Sequence, residues 1–294
     1  MKRAVVIGGS GFLGSHVADE LTSRDYCVTI FDSKPSPWLG TNQKLILGNM
    51  LEKGALLGAL EGANYLFHFG GVADIAYSGN QPFDTINQNV MGATIALEAA
   101  IEAGMERFVY ASTMYVNSPH GSFYRASKQA AEILIETYSE KFAIDYTLLR
   151  YGSLYGPRAQ SWNGLQKYVE QVVRTNSITY TGTGRERREY IHVKDAAKLT
   201  VDILKETYKN HAITVTGQQV LNSSELIDLI FEIAGVEPNV VFKEKKDNDD
   251  HYILTPYRYV PKAAKKLVPG EFVDLAQGVF DIVRETHEKI QKEE

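Results

Sequence analysis

Three glycines spaced Gly8-x-x-Gly11-x-x-Gly14 follow the apolar run Ala4–Ile7 and open a helical pattern. A glycine triplet alone is weak evidence. Placed between a strand and a helix, it is the shape that receives a dinucleotide pyrophosphate. Gly8 permits the tight turn, Gly11 lets backbone approach phosphate, and Gly14 lets helix and strand pack closely. The helix start offers free N–H groups and a positive dipole end, so Phe12 and Leu13 join the glycines as expected contacts.

The next strand pattern, Tyr26–Phe31, ends in Asp32. An acid about 20 positions past the loop bonds the adenosine ribose hydroxyls and repels a 2′-phosphate. Asp32, with Ser33 beside it, therefore indicates NAD rather than NADP, although Lys34 is placed to reach a 2′-phosphate.

Strand and helix patterns alternate through the first half. Strand-like runs are Ala4–Ile7, Val28–Phe31, Lys44–Leu47, Tyr65–Phe69, Arg107–Ser112 and Asp145–Arg150, with helical patterns at Asp84–Ala103 and Tyr124–Phe142. Such alternation predicts an α/β fold, a Rossmann-type doubly wound parallel sheet with ligand at the carboxyl ends of its strands. Residues 1–160 are expected to form this domain, with about 178–215 returning to it. Residues 161–294 are expected to form mainly a smaller α/β substrate-binding lobe. Its helices are expected near Leu165–Thr175, Val193–Tyr208 and Ser223–Ala234, and its strands at Ile178–Thr181 and Ala212–Thr216.

The 294 residues suffice for a large core, and no apolar run reaches the length of a membrane helix. Net charge is −5 with no basic block, which argues against a nucleic-acid partner. The first strand pattern leaves no room for a signal peptide, so a cytoplasmic protein is expected. The single cysteine, Cys27, cannot form an internal disulfide and is expected to be a buried thiol.

Tyr124-Arg125-Ala126-Ser127-Lys128 places a phenol and an ammonium four apart at a helix start, where they share a face. A cation there favours the phenolate. Upstream, the strand Arg107–Ala111 ends in Ser112-Thr113. A hydroxyl, a tyrosine and a lysine beside a nicotinamide are the parts that move a proton and a hydride between a carbinol and NAD.

At this point the chain resembles the extended short-chain dehydrogenase/reductase family, in its nucleotide-sugar epimerase/dehydratase branch. The likeness is carried by Gly8–Gly14, Phe67–Gly71, Asn89–Ala93, Phe108–Thr113, Tyr124–Lys128, Leu149–Arg158 and Gly182–Asp195. It implies Thr113 as the hydroxyl that holds the reacting oxygen, Tyr124 as acid/base, and Lys128 as the group that binds the nicotinamide ribose and tunes the tyrosine. It further implies Asn49 and Met50 beside the adenine, Phe69, Gly70 and Gly71 along the cofactor, and Tyr151 near the nicotinamide. Substrate contacts are implied at Ser153, Arg158, Arg188 and Lys246, with Arg188 on the diphosphate; no metal is implied. Ser153 replaces the family's usual Asn, and Lys246 stands near its second diphosphate arginine. A homodimer through the helices at Asp84–Ala103 and Tyr124–Phe142 is also implied.

Only ten residues separate Thr113 from Tyr124, shorter than in many relatives, which predicts a trimmed and more open sugar site. Relatives that dehydrate across C5–C6 resemble Ser-Thr-Asp-Glu where this chain has Ser112-Thr113-Met114-Tyr115. Met114 transfers no proton and Tyr115 is a poor carboxylate substitute near neutral pH. The expectation is NAD-dependent oxidation of a nucleotide-linked sugar at C4, ending as a 4-epimerase or a 4-dehydrogenase. Alternatives are a dehydratase or reductase of the same family, and a non-catalytic NAD-binding sensor.

Overall fold

The first strand, Arg3–Ile7 (β1), is buried from Ala4 onward. Both faces of a parallel sheet are covered, so its strands read as unbroken apolar runs. The computed structural model of the protein describes residues 1–243 and 265–293. After β1 come α1 (Phe12–Ser23), β2 (Cys27–Asp32), β3 (Gln43–Leu47), α2 (Lys53–Leu60), β4 (Tyr65–His68), α3 (Ile75–Asn80) and α4 (Pro82–Ile86). Then follow α5 (Gly92–Glu102), β5 (Arg107–Thr113), α6 (Ser122–Phe142), β6 (Tyr146–Tyr151), β7 (Ser153–Tyr155), α7 (Gly164–Thr175), β8 (Ile178–Thr181) and β9 (Arg187–His192). The remainder is α8 (Val193–Asp202), β10 (His211–Val215), β11 (Gln219–Asn222), α9 (Ser223–Ala234), β12 (Val240–Lys243), β13 (Lys265–Leu267) and α10 (Leu275–Glu293).

Eight strands form one parallel sheet in the order β13-β10-β6-β5-β4-β1-β2-β3. This is the doubly wound arrangement, with the winding reversing between β1 and β4. Alternate side chains feed two cores. Val6, Phe67 and Val109 pack with Val17 of α1 and Ala197 of α8, while Val5, Leu66 and Phe108 pack with Leu56, Leu97 and Ile135 of α2, α5 and α6. A third core, with Val169, Ile230 and Ile282 from α7, α9 and α10, makes the smaller lobe. That lobe also holds the sheets β11-β9-β7 and β12-β8.

Several expectations are corrected. The helix expected over Asp84–Ala103 is present and continuous from Pro82 to Glu102, but it is not a regular α-helix: a π-helical turn at Asn87–Met91 joins α4 to α5. A π turn inserts one residue and rotates the side chains before it relative to those after it. The helix expected over Val193–Tyr208 stops at Asp202. Lys205 turns extended (ψ 146°) and a 3-10 turn, Glu206–Tyr208, follows; Ile203 and Leu204 stay in the core and so prolong the apolar pattern beyond the helix. Within 178–215, β10 joins the large sheet but β8 stays in the small lobe, and β13 is an additional edge strand of the large sheet. Its Lys265 and Lys266 are exposed, which suits an edge and hides it from a hydrophobic reading. Cys27 is exposed rather than buried; as first residue of β2 it lies at the rim, ahead of the buried Val28. Among the described residues, no helix is long and apolar enough to cross a membrane.

Candidate active site

The loop between β1 and α1 is shaped by its glycines. Gly8 has φ +77°, and a Cβ there would lie 2.6 Å from the Gly70 nitrogen. A Cβ on Gly14 would lie 2.2 Å from the Gly8 carbonyl oxygen. Gly11 caps α1 in an extended conformation without a side-chain cap. The first-turn N–H groups, which have no partner inside a helix, therefore remain for an anion.

Asp32 ends β2 beside this loop. One carboxylate oxygen accepts from the Ser10 N–H at 3.0 Å and the other from the Lys34 N–H at 3.1 Å. Asp32, Ser33 and Lys34 line one end of a cleft of about 840 Å³ that runs along the carboxyl ends of the sheet strands. Asn49, Met50, Phe69, Gly70 and Gly71 line it too. A Cβ on Gly70 would lie 2.8 Å from the Met50 sulfur, and one on Gly71 (φ +131°) 2.3 Å from Asn89 Oδ1. This glycine-lined trough, with an acid at its ribose end and unpaired helix N–H groups at its phosphates, fits a dinucleotide.

Midway along the cleft β5 delivers Thr113 and the start of α6 delivers Tyr124 and Lys128. Thr113 Oγ1 accepts from the Tyr115 N–H at 3.3 Å. Lys128 Nζ donates to the Ala111 carbonyl at 2.8 Å and lies 6.0 Å from the centroid of the Tyr124 ring. Burial lowers the Lys128 pKa to about 8, against the opposing charge of Glu132. Behind these groups, Glu132 is held by Arg150 (3.0 and 2.7 Å) and accepts from Ser112 Oγ at 2.5 Å.

Tyr151 lines the cleft, but its hydroxyl is 2.6 Å from Thr200 Oγ1, which leaves its ring to face the ligand. Ser153 and Arg188 line the half formed with the small lobe. Arg158 does not: its guanidinium pairs with Asp19 at 2.8 Å and lies 5.0 Å from the Trp38 ring, outside the cleft lining. The sequence placed Arg158 among the substrate residues; the structure does not bring it to the cleft wall. Lys246 lies outside the described residues.

Two further residues, Asn89 behind the cleft wall and Glu186 on it, carried no assigned role in the sequence. Asn89, in the π turn, donates to Ser127 Oγ at 2.9 Å and to the Val72 carbonyl at 2.9 Å, and it accepts from the Val72 N–H at 2.7 Å. It thereby ties the Gly71 side of the cleft to α6. Its appearance in the Asn89–Ala93 motif was the available signal. In the small lobe, Glu186 accepts from the Thr183 N–H and hydroxyl at 2.8 and 2.9 Å, and from the Tyr180 hydroxyl at 2.8 Å. Burial opposes its ionisation, yet these bonds bring its pKa down to about 2. It pins the turn through Gly182 and Gly184, both at positive φ, which leads into Arg188.

The short Thr113–Tyr124 connection does not gape. Met114–Asn117 form a 3-10 turn with all four residues buried, and the Tyr115 ring stands at 72° to Tyr124, centroids 6.1 Å apart. Gly121, at φ +106°, passes where a Cβ would lie 2.7 Å from that ring.

Residues 4–216 match the NAD dependent epimerase/dehydratase family. The dTDP-D-glucose 4,6-dehydratase of Mus musculus is 27% identical over 263 residues, covering 79% of this chain and 74% of its own length. The solved UDP-glucose 4-epimerase of Thermotoga maritima, with UDP-glucose, superposes with a TM-score of 0.86 at 24% identity, covering 98% of this chain and 99% of that one. The UDP-glucose 4-epimerase of Thermus thermophilus, in complex with NAD, gives 0.82 at 23% identity, covering 97% and 99%. The glycine trough and Asp32 suit NAD, the dinucleotide for which the matching family is named, and the chain belongs to the NAD dependent epimerase/dehydratase family.

Proposed function

We propose that the protein oxidises a nucleotide-linked sugar at C4 and returns it as the C4 epimer. The observation that carries this reading is the convergence of Thr113, Tyr124 and Lys128 on a cleft whose far end fits a dinucleotide. Tyr124 takes the proton of the sugar hydroxyl as the carbonyl forms and gives it back on reduction. Thr113 accepts from a backbone N–H, so its own hydrogen is left to hold the reacting oxygen. The Lys128 ammonium, fixed on the Ala111 carbonyl, favours the phenolate. Bound in the trough, NAD supplies the two-electron redox chemistry.

Met114 and Tyr115 supply neither carboxylate that the resemblance assigns to C5–C6 dehydration, which disfavours that outcome. The packed Met114–Asn117 turn, with Tyr115 against Tyr124, supports a site that keeps the ketone for return of the hydride. Release as a 4-dehydrogenase therefore ranks second. The substrate's diphosphate is assigned to Arg188, with Glu186 stiffening the turn before it. The expected result for Tyr124→Phe is a loss of turnover of about 10²–10⁴-fold with NAD still bound. Unchanged turnover would remove Tyr124 from the chemistry.

The protein is further proposed to pair with a second copy through α4, α5 and α6. Phe83 (85% exposed) and Ile86 on α4, Met91 in the π turn that leads into α5, and Phe123 and Ile133 (56% exposed) on α6 stand bare, an apolar display typical of an interface.

A further inference from the structure

We propose that Asp84 selects the sugar: it favours substituents that donate hydrogen bonds and disfavours a carboxylate beside the reacting hydroxyl. This rests on the nucleotide-sugar reading above. The wall in question is built by α3, α4 and the π turn. Ser78 of α3 accepts the Tyr124 N–H at 2.7 Å, so this helix lies directly against the residue that carries the reactive phenol. One residue earlier, Tyr77 donates its hydroxyl to Asp84 Oδ2 at 3.0 Å, and the Gln88 amide faces Oδ1 at 3.5 Å. Tyr77, Asp84 and Gln88 all line the cleft.

The π turn gives this wall its composition. Gln88 faces the cleft while Asn89, its neighbour, is buried and bonded to Ser127 and Val72. The carboxylate is oriented by two donors on its own wall, which leaves lone pairs for a ligand.

No cation offsets it there among the described residues. The cleft-lining cations are Lys34 at the ribose end, Lys128 on the Ala111 carbonyl, and Lys167 and Arg188 in the small lobe. A neutral hexose brings hydroxyl donors that a carboxylate accepts. A uronate brings a like charge into a partly desolvated wall, and like charges so placed cost binding.

The test is calorimetric titration of the NAD-loaded protein with UDP-glucose and with UDP-glucuronate, alongside Asp84→Asn and Asp84→Lys. Cofactor content and melting temperature verify folding of both variants. UDP-glucose is expected to bind the unaltered protein at least about tenfold more tightly. Asp84→Asn should shrink that ratio, chiefly by tightening the uronate, and Asp84→Lys should reverse it. A uronate bound as tightly as the hexose, or a ratio that neither variant moves, overturns the assignment. Because the readout is binding, selective binding without turnover of either sugar would overturn the oxidation reading while supporting Asp84. Turnover of both sugars with an unmoved ratio would overturn Asp84 alone, and binding of neither would overturn both.

Discussion

The Lys128 ammonium is anchored on the carbonyl oxygen of Ala111, 2.8 Å away, rather than on a carboxylate. Strand β5 thus holds the cation in place under Tyr124, 6.0 Å from its ring centroid. The ammonium is ready before any ligand arrives.

This anchoring has a pH signature. Burial brings the Lys128 pKa down to about 8 from the ordinary 10.5, so below pH 8 the fold carries a buried charge that the unfolded chain hydrates freely. That cost is full below about 8 and fades as pH rises toward 10.5, because there the unfolded state binds the extra proton. Melting temperature should therefore gain a rising contribution across this window, and Lys128→Met should lose it. Oxidation rate measured over the same window should fall as the ammonium is lost. A rate that is flat through pH 8 in the unaltered protein would contradict the role given to Lys128.

His68 makes the opposite end of the pH range informative. It is fully buried on β4, with no partner for either ring nitrogen among the described residues, and burial lowers its pKa to about 3. The folded state refuses a proton that the unfolded state accepts below about 6.5. Stability is therefore full above that value and is lost as pH falls toward 3, by up to roughly 1.4 kcal/mol per pH unit for one group. His16 and His192, both near 4 through burial, act in the same direction. Denaturant titrations from pH 7 downward should show His68→Leu with a shallower acid slope and no loss at neutral pH, since two unpartnered buried atoms are removed. A steep loss at pH 7 would mean that the ring makes a contact worth more than its burial costs.

The legible parts of the site were those carried by short spans. Gly8 to Gly14 and Asp32 are tied to consecutive βα elements, and Tyr124 and Lys128 are one helical turn apart, so spacing alone places them. The helix expected near Ser223–Ala234 was placed for the same reason; it is observed as α9, whose start Asn222 and Glu225 close by bonding reciprocally. Arg158 was not, because its partner Asp19 is 139 positions away and the ion pair exists only once α1 and the Pro157 loop meet. Nor was the cleft wall at Asp84 and Gln88. A regular helix and a π turn have the same residue preferences, yet the extra residue changes which side chains face inward. Cys27 was misplaced because strand propensity says nothing about where a strand's first residue meets the rim.

The bare apolar helices predict assembly. Ile133→Glu places a charge at the centre of the α6 face and should weaken pairing by roughly 2 kcal/mol or more. Sedimentation equilibrium of both proteins, with NAD content as a control for folding, reads this directly. A monomeric parent protein would remove the proposed interface.

The most direct test of C4 epimerisation is the mass and chromatographic retention of each product after incubation with a panel of nucleotide sugars. The expected product has unchanged mass and a new retention time, with no net reduction of NAD. A product lighter by the mass of water, or one lighter by two hydrogens with NADH accumulating, would contradict it.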